Sequence, residues 1–205
     1  MNNAKGQSMQ TNMTIPKATI STLDAIYARR SVRDYTEQTL GYEIIHSLLE
    51  ASVQAPTAVD EQPWAFVVIE HKDIIKRLSD TAKETMNDVE RSIHVPGRKM
   101  VANFVPPDDF FHGAAALIII YGKDMGPFVV ADCWLAAENL MLAACANGLG
   151  TCVIGLAVSV LNRPEWKKEF GIADDMTAIA PIIVGIPSGF TKPVRRKEPQ
   201  ILLWK

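Results

Sequence analysis

The chain has 205 residues, an apolar fraction of 48% and a formal net charge of −2. That length allows one large domain or two small ones with a substantial core. The near-neutral balance excludes a general nucleic-acid binder, which would carry a strong basic excess.

Residues 1–20 are polar and rich in Asn, Gln and Thr, without the apolar stretch of a signal peptide. They read as a mobile tail on a cytoplasmic protein. Ser21-Thr22-Leu23-Asp24 resembles a capping box. Leu23, Ile26 and Tyr27 then share one helical face, so a first helix runs to about Arg29. There it meets a cationic cluster, Arg29-Arg30-Ser31-Val32-Arg33. Arginine forks bind phosphate oxygens bidentately, so three guanidiniums and a hydroxyl in five residues are a candidate phosphate site. A solvated helix end is the plainer alternative.

Tyr42–Val53 predicts an amphipathic helix, stopped by Pro56. Trp64–Ile69 is β-branched and aromatic, a strand. Asp73 is placed to cap a helix carrying Ile74, Ile75 and Leu78. From about Asn87 to His112 the pattern breaks down, with Pro96-Gly97 and Pro106-Pro107 among Phe104, Phe110 and Phe111. A long irregular stretch is often a lid or binding loop.

Ala114–Tyr121 predicts a strand buried on both faces. Phe128–Ala146 is apolar nearly all round, yet it holds Asp132, Glu138 and Asn139, which argues for a core helix over a membrane span. Asn147-Gly148 supplies its C-cap. Thr151–Ile154 is a short strand leading to Gly155. Asn162-Arg163-Pro164-Glu165 opens a helix ending at Gly171. Met176–Gly185 is the last main strand, in which Pro181 implies a bulge or an edge position. The chain then turns basic, and it ends in the apolar run Ile201–Trp204. The elements predict an α+β domain rather than a doubly wound sheet. Cys133, Cys145 and Cys152 fit no metal-ligand spacing, and the four histidines are scattered, so no metal site is expected.

Six segments in order resemble the nitroreductase family of flavin mononucleotide (FMN) enzymes. They are Arg29–Arg33, Ala55-Pro56-Thr57 through Gln62-Pro63-Trp64, Phe111-His112-Gly113-Ala114, Asp132 through Leu142, Gly148-Leu149-Gly150-Thr151-Cys152-Val153-Ile154-Gly155, and Pro181 through Pro187. The resemblance covers about Leu23 to Arg196. It implies a mixed, mainly antiparallel sheet flanked by helices, in a homodimer with two flavins at the interface. The expected organisation is a tail at 1–20, a single domain at 21–198, and an extension at 199–205 that reaches the partner subunit.

Carried over by position, the resemblance puts Arg29, Arg30 and Ser31 on the flavin phosphate and ribityl chain and Arg33 near the pyrimidine edge. A cation there stabilises reduced flavin. Arg195 and Arg196 are candidates for a second phosphate ligand. Ile154 and Gly155 offer main-chain N–H groups beside the reactive N5, and Gln62 a polar contact. Asp60 stands where the family usually has Asn, and an ionised carboxylate cannot donate. The lid candidates are Phe104, Phe110 and Phe111, with core packing the alternative for each.

The implied reaction is a ping-pong transfer from NADPH or NADH through FMN to a nitroaromatic, quinone or similar small acceptor, without a catalytic side chain. Alternatives are ene reduction, dehalogenation or flavin breakdown on the same fold, a redox sensor without turnover, or a phosphate binder without flavin. No nucleic acid and no membrane are expected as partners.

Overall fold

The computed structural model describes residues 20–92 and 107–205. The tail at 1–19 and Phe104 lie outside the described residues. Four strands, β1 (Trp64–Ile69), β2 (Ala116–Lys123), β3 (Gly150–Val153) and β4 (Met176–Gly185), form one sheet in the order β1-β2-β4-β3. Every pairing in it is antiparallel. The one parallel pairing among the described residues is an isolated bridge from Ser31 to Thr151.

Both faces of the sheet are covered, which explains the unbroken apolar run of β2. Ala116, Ile118 and Ile120 pack with Ile182 and Val184 against α2 (Tyr42–Ser52) and α4 (Val129–Ala146). Leu117, Ile119 and Tyr121 point the other way, against α3 (Lys72–Ser92), α5 (Val158–Leu161) and Trp166 of α6 (Pro164–Glu169). Alternation of side chains across a strand sends successive residues to opposite layers.

Several local signals hold. Ser21 and Asp24 form a reciprocal capping box on α1 (Thr22–Ala28). α4 ends in a Schellman arrangement: Leu149 N–H donates to Ala144 O at 2.9 Å and Gly148 N–H to Cys145 O at 3.0 Å, with Gly148 at φ 74°. Although α4 is long and apolar enough to cross a membrane by length and composition, its inner side, Asp132 included, is buried against the sheet and α2.

Of the two expectations for Pro181, the edge position fails, because β4 is an interior strand, while a bulge is present in that strand. The bulge falls two residues earlier: Ile120 faces Ala180 while Tyr121 faces Ala178, so Ile179 is extra and joins Ala180 on the α4 side. Pro181 is tolerated because its carbonyl, and hence its missing N–H, point toward β3 where that strand stops at Val153.

α3 begins one residue before Asp73. The His71 carbonyl accepts from the N–H groups of Ile74 and Ile75, and Asp73 sits in the first turn, where its charge suits the helix dipole. The helix continues through Ser92 into the stretch expected to be irregular, since neither Gly nor Pro interrupts it before Pro96. Phe110 and Phe111 are not a lid. Both are core residues, at 2% and 0% exposure. The Asp109 carboxylate accepts from Phe111 N–H and Gly113 N–H, and Phe110 N–H donates to Ser79 Oγ, which turns both rings inward.

Candidate functional site

The arginine segment is built on the end of α1 and the start of β3. Val32 N–H donates to Thr151 O at 2.9 Å, and Val32 is buried against Gly150. This docking leaves Ser31 exposed beside the guanidiniums. Arg29 is 20% exposed, and its Nε lies 3.4 Å from the Glu138 carboxylate of α4. That ion pair engages the inner nitrogen and leaves the terminal fork for another anion. Arg30 folds back over α1, donating from Nη1 to Tyr27 O at 2.6 Å and Arg29 O at 2.7 Å. It is therefore a helix cap as well as a candidate ligand. Its Nε is buried without a partner among the described residues. Arg33 is exposed and makes no ion pair among the described residues.

The second cluster is the turn before β1. A single 3-10 turn spans Ala58–Asp60, and left-handed backbone occurs at Val59 (φ 45°), Asp60 (φ 59°) and Gln62 (φ 49°). Non-glycine residues there cost about 1–3 kcal/mol each, and a β-branched valine is the least suited of all. The turn is held by four side chains, those of Thr57, Asp60, Gln62 and Asp132. Gln62 Nε2 donates to Asp60 Oδ1 at 2.8 Å, Gln62 N–H donates to Thr57 Oγ1 at 3.3 Å, and Ala58 N–H donates to both oxygens of Asp132 at 3.2 and 3.3 Å. Trp64, two residues after Gln62, packs half-buried on the core, and its Nε1 is the other buried nitrogen lacking a partner among the described residues.

At the end of β3, Ile154 N–H is already donated to Pro181 O at 2.9 Å. Gly155 opens a 3-10 turn, so its N–H has no acceptor within that turn. A Cβ added there would meet nothing within 4 Å. Of the two N5 candidates, Gly155 is thus the available donor. Arg195 and Arg196 are exposed, in a C-terminal segment that forms no helix or strand beyond the Tyr35–Pro187 bridge.

The backbone anchors of these groups stand at two corners of the sheet. Thr151, which carries Ser31, aligns through Val184 with Ala116 at the start of β2, whereas Trp64 aligns with Gly122 near its end. Strand spacing and rise put these two corners roughly 25 Å apart. Arg29–Arg33 and Gly155 lie along one edge strand; Asp60 and Gln62 adjoin the other. A cavity of about 300 Å³ between the start of α3 and the 108–114 turn is lined by none of the predicted site residues.

Burial holds all three thiols toward the protonated form, which disfavours a nucleophilic role. Burial pushes Cys133 up to about 11, and it also raises Cys145 and Cys152. At Cys152 the nearby Arg33, the Ser31 hydroxyl and Arg29 oppose that rise. His112 is held below its ordinary range, first by burial and then by Arg33. No metal-binding cluster occurs among the described residues. Sequence reading missed Asp132, Glu138 and Thr57 as site residues. For Asp132 and Glu138 the available signal was a carboxylate inside an otherwise apolar helix.

Residues 26–186 match the nitroreductase family, and the chain belongs to it. It is 26% identical over 167 residues to a protein of Archaeoglobus fulgidus provisionally named NADH dehydrogenase/NAD(P)H nitroreductase, covering 80% of this chain and 84% of that one. It is 24% identical over 135 residues to the iodotyrosine deiodinase of Thermotoga neapolitana, covering 62% and 70%. The crystal structure of a nitroreductase with bound FMN from Bacteroides fragilis superimposes with a TM-score of 0.74 at 20% identity, covering 91% of this chain and all of that one. That likeness establishes the α+β fold.

Proposed function

We propose that this chain is an FMN-dependent NAD(P)H oxidoreductase that works as a homodimer and serves a nitroaromatic, quinone or similar small acceptor by a ping-pong cycle. The observation that carries the reading is the Arg29–Ser31 segment. It combines a guanidinium fork steadied by Glu138, a buried Arg30 Nε that lacks a partner among the described residues, and an exposed hydroxyl. That donor set fits a phosphate monoester. Gly155 adds an open backbone N–H further along the same edge.

Bound FMN supplies two-electron transfer between nicotinamide and acceptor. The chain's own residues bind and bias it. Arg29, Arg30 and Ser31 hold the phosphate end, with Arg195 or Arg196 as a further cation. Gly155 N–H donates to the reactive edge of the ring. Arg33 contributes positive charge at the pyrimidine end, and Asp60 and Gln62 contribute polar contacts. No side chain is assigned a catalytic role.

The distance between the two corners supports a shared site, in which the arginine segment of one protomer faces the 57–62 turn of its partner. α1 and α4 expose Leu23, Ile26, Tyr27, Val130, Trp134 and Leu135, an apolar surface that a second copy would cover. Residues 199–205 form the extension that reaches across, because Leu202 and Trp204, 90% and 84% exposed, have no cover on their own body.

The test is an absorbance spectrum of the purified protein, then anaerobic NADPH or NADH. A yellow protein that bleaches and recovers with a nitroaromatic or quinone upholds the reading. A colourless protein that FMN cannot reconstitute rejects it. The deiodinase relative favours a second reading, reductive removal of halide from an aromatic ring, which release of iodide from an iodophenol under the same reductant would reveal.

A further inference from the structure

We propose that Asp132 is a positioning residue for the flavin-facing turn, clamping the left-handed Val59–Gln62 backbone from the central helix. The inference rests on the proposed FMN function for its consequence and on geometry for its substance. Asp132 is 3% exposed, one of four buried polar or charged residues among those described. Both carboxylate oxygens accept from the single N–H of Ala58, the first residue of the 3-10 turn. The turn's own N-cap, Thr57, makes no cap bond there; its hydroxyl is engaged by Gln62 N–H. Asp132 therefore performs, from 74 positions away, the capping that a local residue normally performs.

The backbone just beyond Ala58 explains the need for a clamp. Three of the next four residues are left-handed, none of them glycine, and Val59 is 88% exposed, so its side chain is not held by packing. Strained backbone persists where the surroundings over-determine it. The surroundings here are few: the Asp60–Gln62 contact and the Thr57 hydroxyl lie within the turn itself. Asp132 is the side chain from outside the turn that bonds to it among the described residues. It sits on α4, which is packed on the sheet and α2 and offers a rigid base. Retaining a carboxylate in an apolar helix is costly unless it has a polar partner, and positioning Asp60 and Gln62 is what this partnership achieves.

The test compares Asp132→Ala, Asp132→Asn and Ser52→Ala in the full chain. Ser52 is buried and donates to Ala136 O of the same helix as Asp132 at 2.9 Å, so its loss weakens α4 packing without touching the turn. Three quantities are read: FMN dissociation constant, flavin midpoint potential, and the rate of protease cleavage within 57–62 in the flavin-free protein. Asp132→Ala is expected to weaken FMN about tenfold or more, to shift the potential, and to speed cleavage. Asp132→Asn, which keeps one acceptor oxygen, recovers part of each. Ser52→Ala lowers thermal stability yet leaves all three near wild type. The inference is overturned if Asp132→Ala leaves cleavage, affinity and potential unchanged, or if Ser52→Ala moves them equally. Should the wild type bind no FMN, the functional proposal falls while the cleavage comparison still decides the clamp.

Discussion

The Gln62 side-chain amide donates to the Asp60 carboxylate across 2.8 Å, and both residues hold left-handed backbone. The pair is a small rigid unit, in which one carboxylate oxygen is engaged and the other remains an acceptor. An asparagine at this position would keep the Gln62 contact through its own oxygen and add a donor.

Asp60→Asn therefore changes charge with little change in geometry. Removing a negative charge beside reduced flavin favours the reduced state. The midpoint potential should rise by on the order of 30 mV, which for a two-electron couple is about 1.4 kcal/mol. A spectroelectrochemical titration measures it, and an unchanged or lower value rejects the placement of Asp60 at the flavin.

Arg29 and Arg30 are neighbours with different duties. Arg29→Ala removes a fork that Glu138 orients and should weaken FMN roughly 10–100-fold, with little effect on the flavin-free protein. Arg30→Ala also removes bonds to a last-turn carbonyl of α1, that of Tyr27, and to the carbonyl of the C-cap residue Arg29, so the flavin-free protein should lose about 1 kcal/mol as well. Fluorescence titration and denaturant unfolding of both variants separate the two effects. Equal stability losses in the two variants would show that Arg30 is not the cap.

What was legible in the sequence was local. Ser21 with Asp24, and Asn147-Gly148, announce helix ends because a cap is settled within four residues. The β-branched runs read as strands for the same reason. Strand order was not legible, because it depends on contacts between distant segments. For that reason Pro181 suggested a bulge or an edge without deciding between them, and it lies in an interior strand that carries a bulge at Ile179. Lid and core were both open for Phe110 and Phe111, and the contacts that decide for the core come from Ser79, 31 positions away, and from Asp109. The site showed the same division: the arginine cluster and Gly155 stood out as motifs, whereas the Asp132 and Glu138 partnerships span 74 and 109 positions.

Gly150 is a packing requirement of the arginine segment proposed to hold the phosphate. A Cβ there would lie 2.8 Å from three side-chain carbons of Val32, with Ser31 and Arg33 on either side. Gly150→Ala must displace that segment, at roughly 1–3 kcal/mol of stability, and FMN affinity should fall with it. Combining it with Val32→Ala relieves the contact and should restore affinity. Failure of that rescue would place the effect elsewhere.

His112 makes stability depend on pH. Its folded-state pKa lies below the ordinary 6.5, from burial first and the Arg33 charge second. Between the lowered value and about 6.5 the unfolded chain binds more protons than the native one, so stability rises with pH across that window. The contribution is fully present above about 6.5 and is lost as acidity takes the group through its folded value. His112→Asn, chosen because Asn tolerates the φ of 54°, should flatten this part of the profile. Denaturant midpoints from about pH 5 to about pH 7.5 measure the slope; an unchanged slope assigns it to another group.

Deleting residues 199–205 tests the shared site directly. The segment carries Ile201, Leu202, Leu203 and Trp204, all exposed on the single chain, and burying a large apolar side chain contributes about 1.5–3 kcal/mol. Removal should weaken self-association by at least about tenfold, seen as a shift toward monomer in sedimentation velocity. Because the arginine segment and the 57–62 turn of one chain stand at opposite corners of the sheet, the monomer should also release FMN. Arg195 and Arg196 remain in this variant, so loss of flavin cannot be ascribed to losing those cations. A truncated protein that stays dimeric would exclude the extension as the strap, and a monomer that retains FMN at wild-type affinity would exclude the two-chain site.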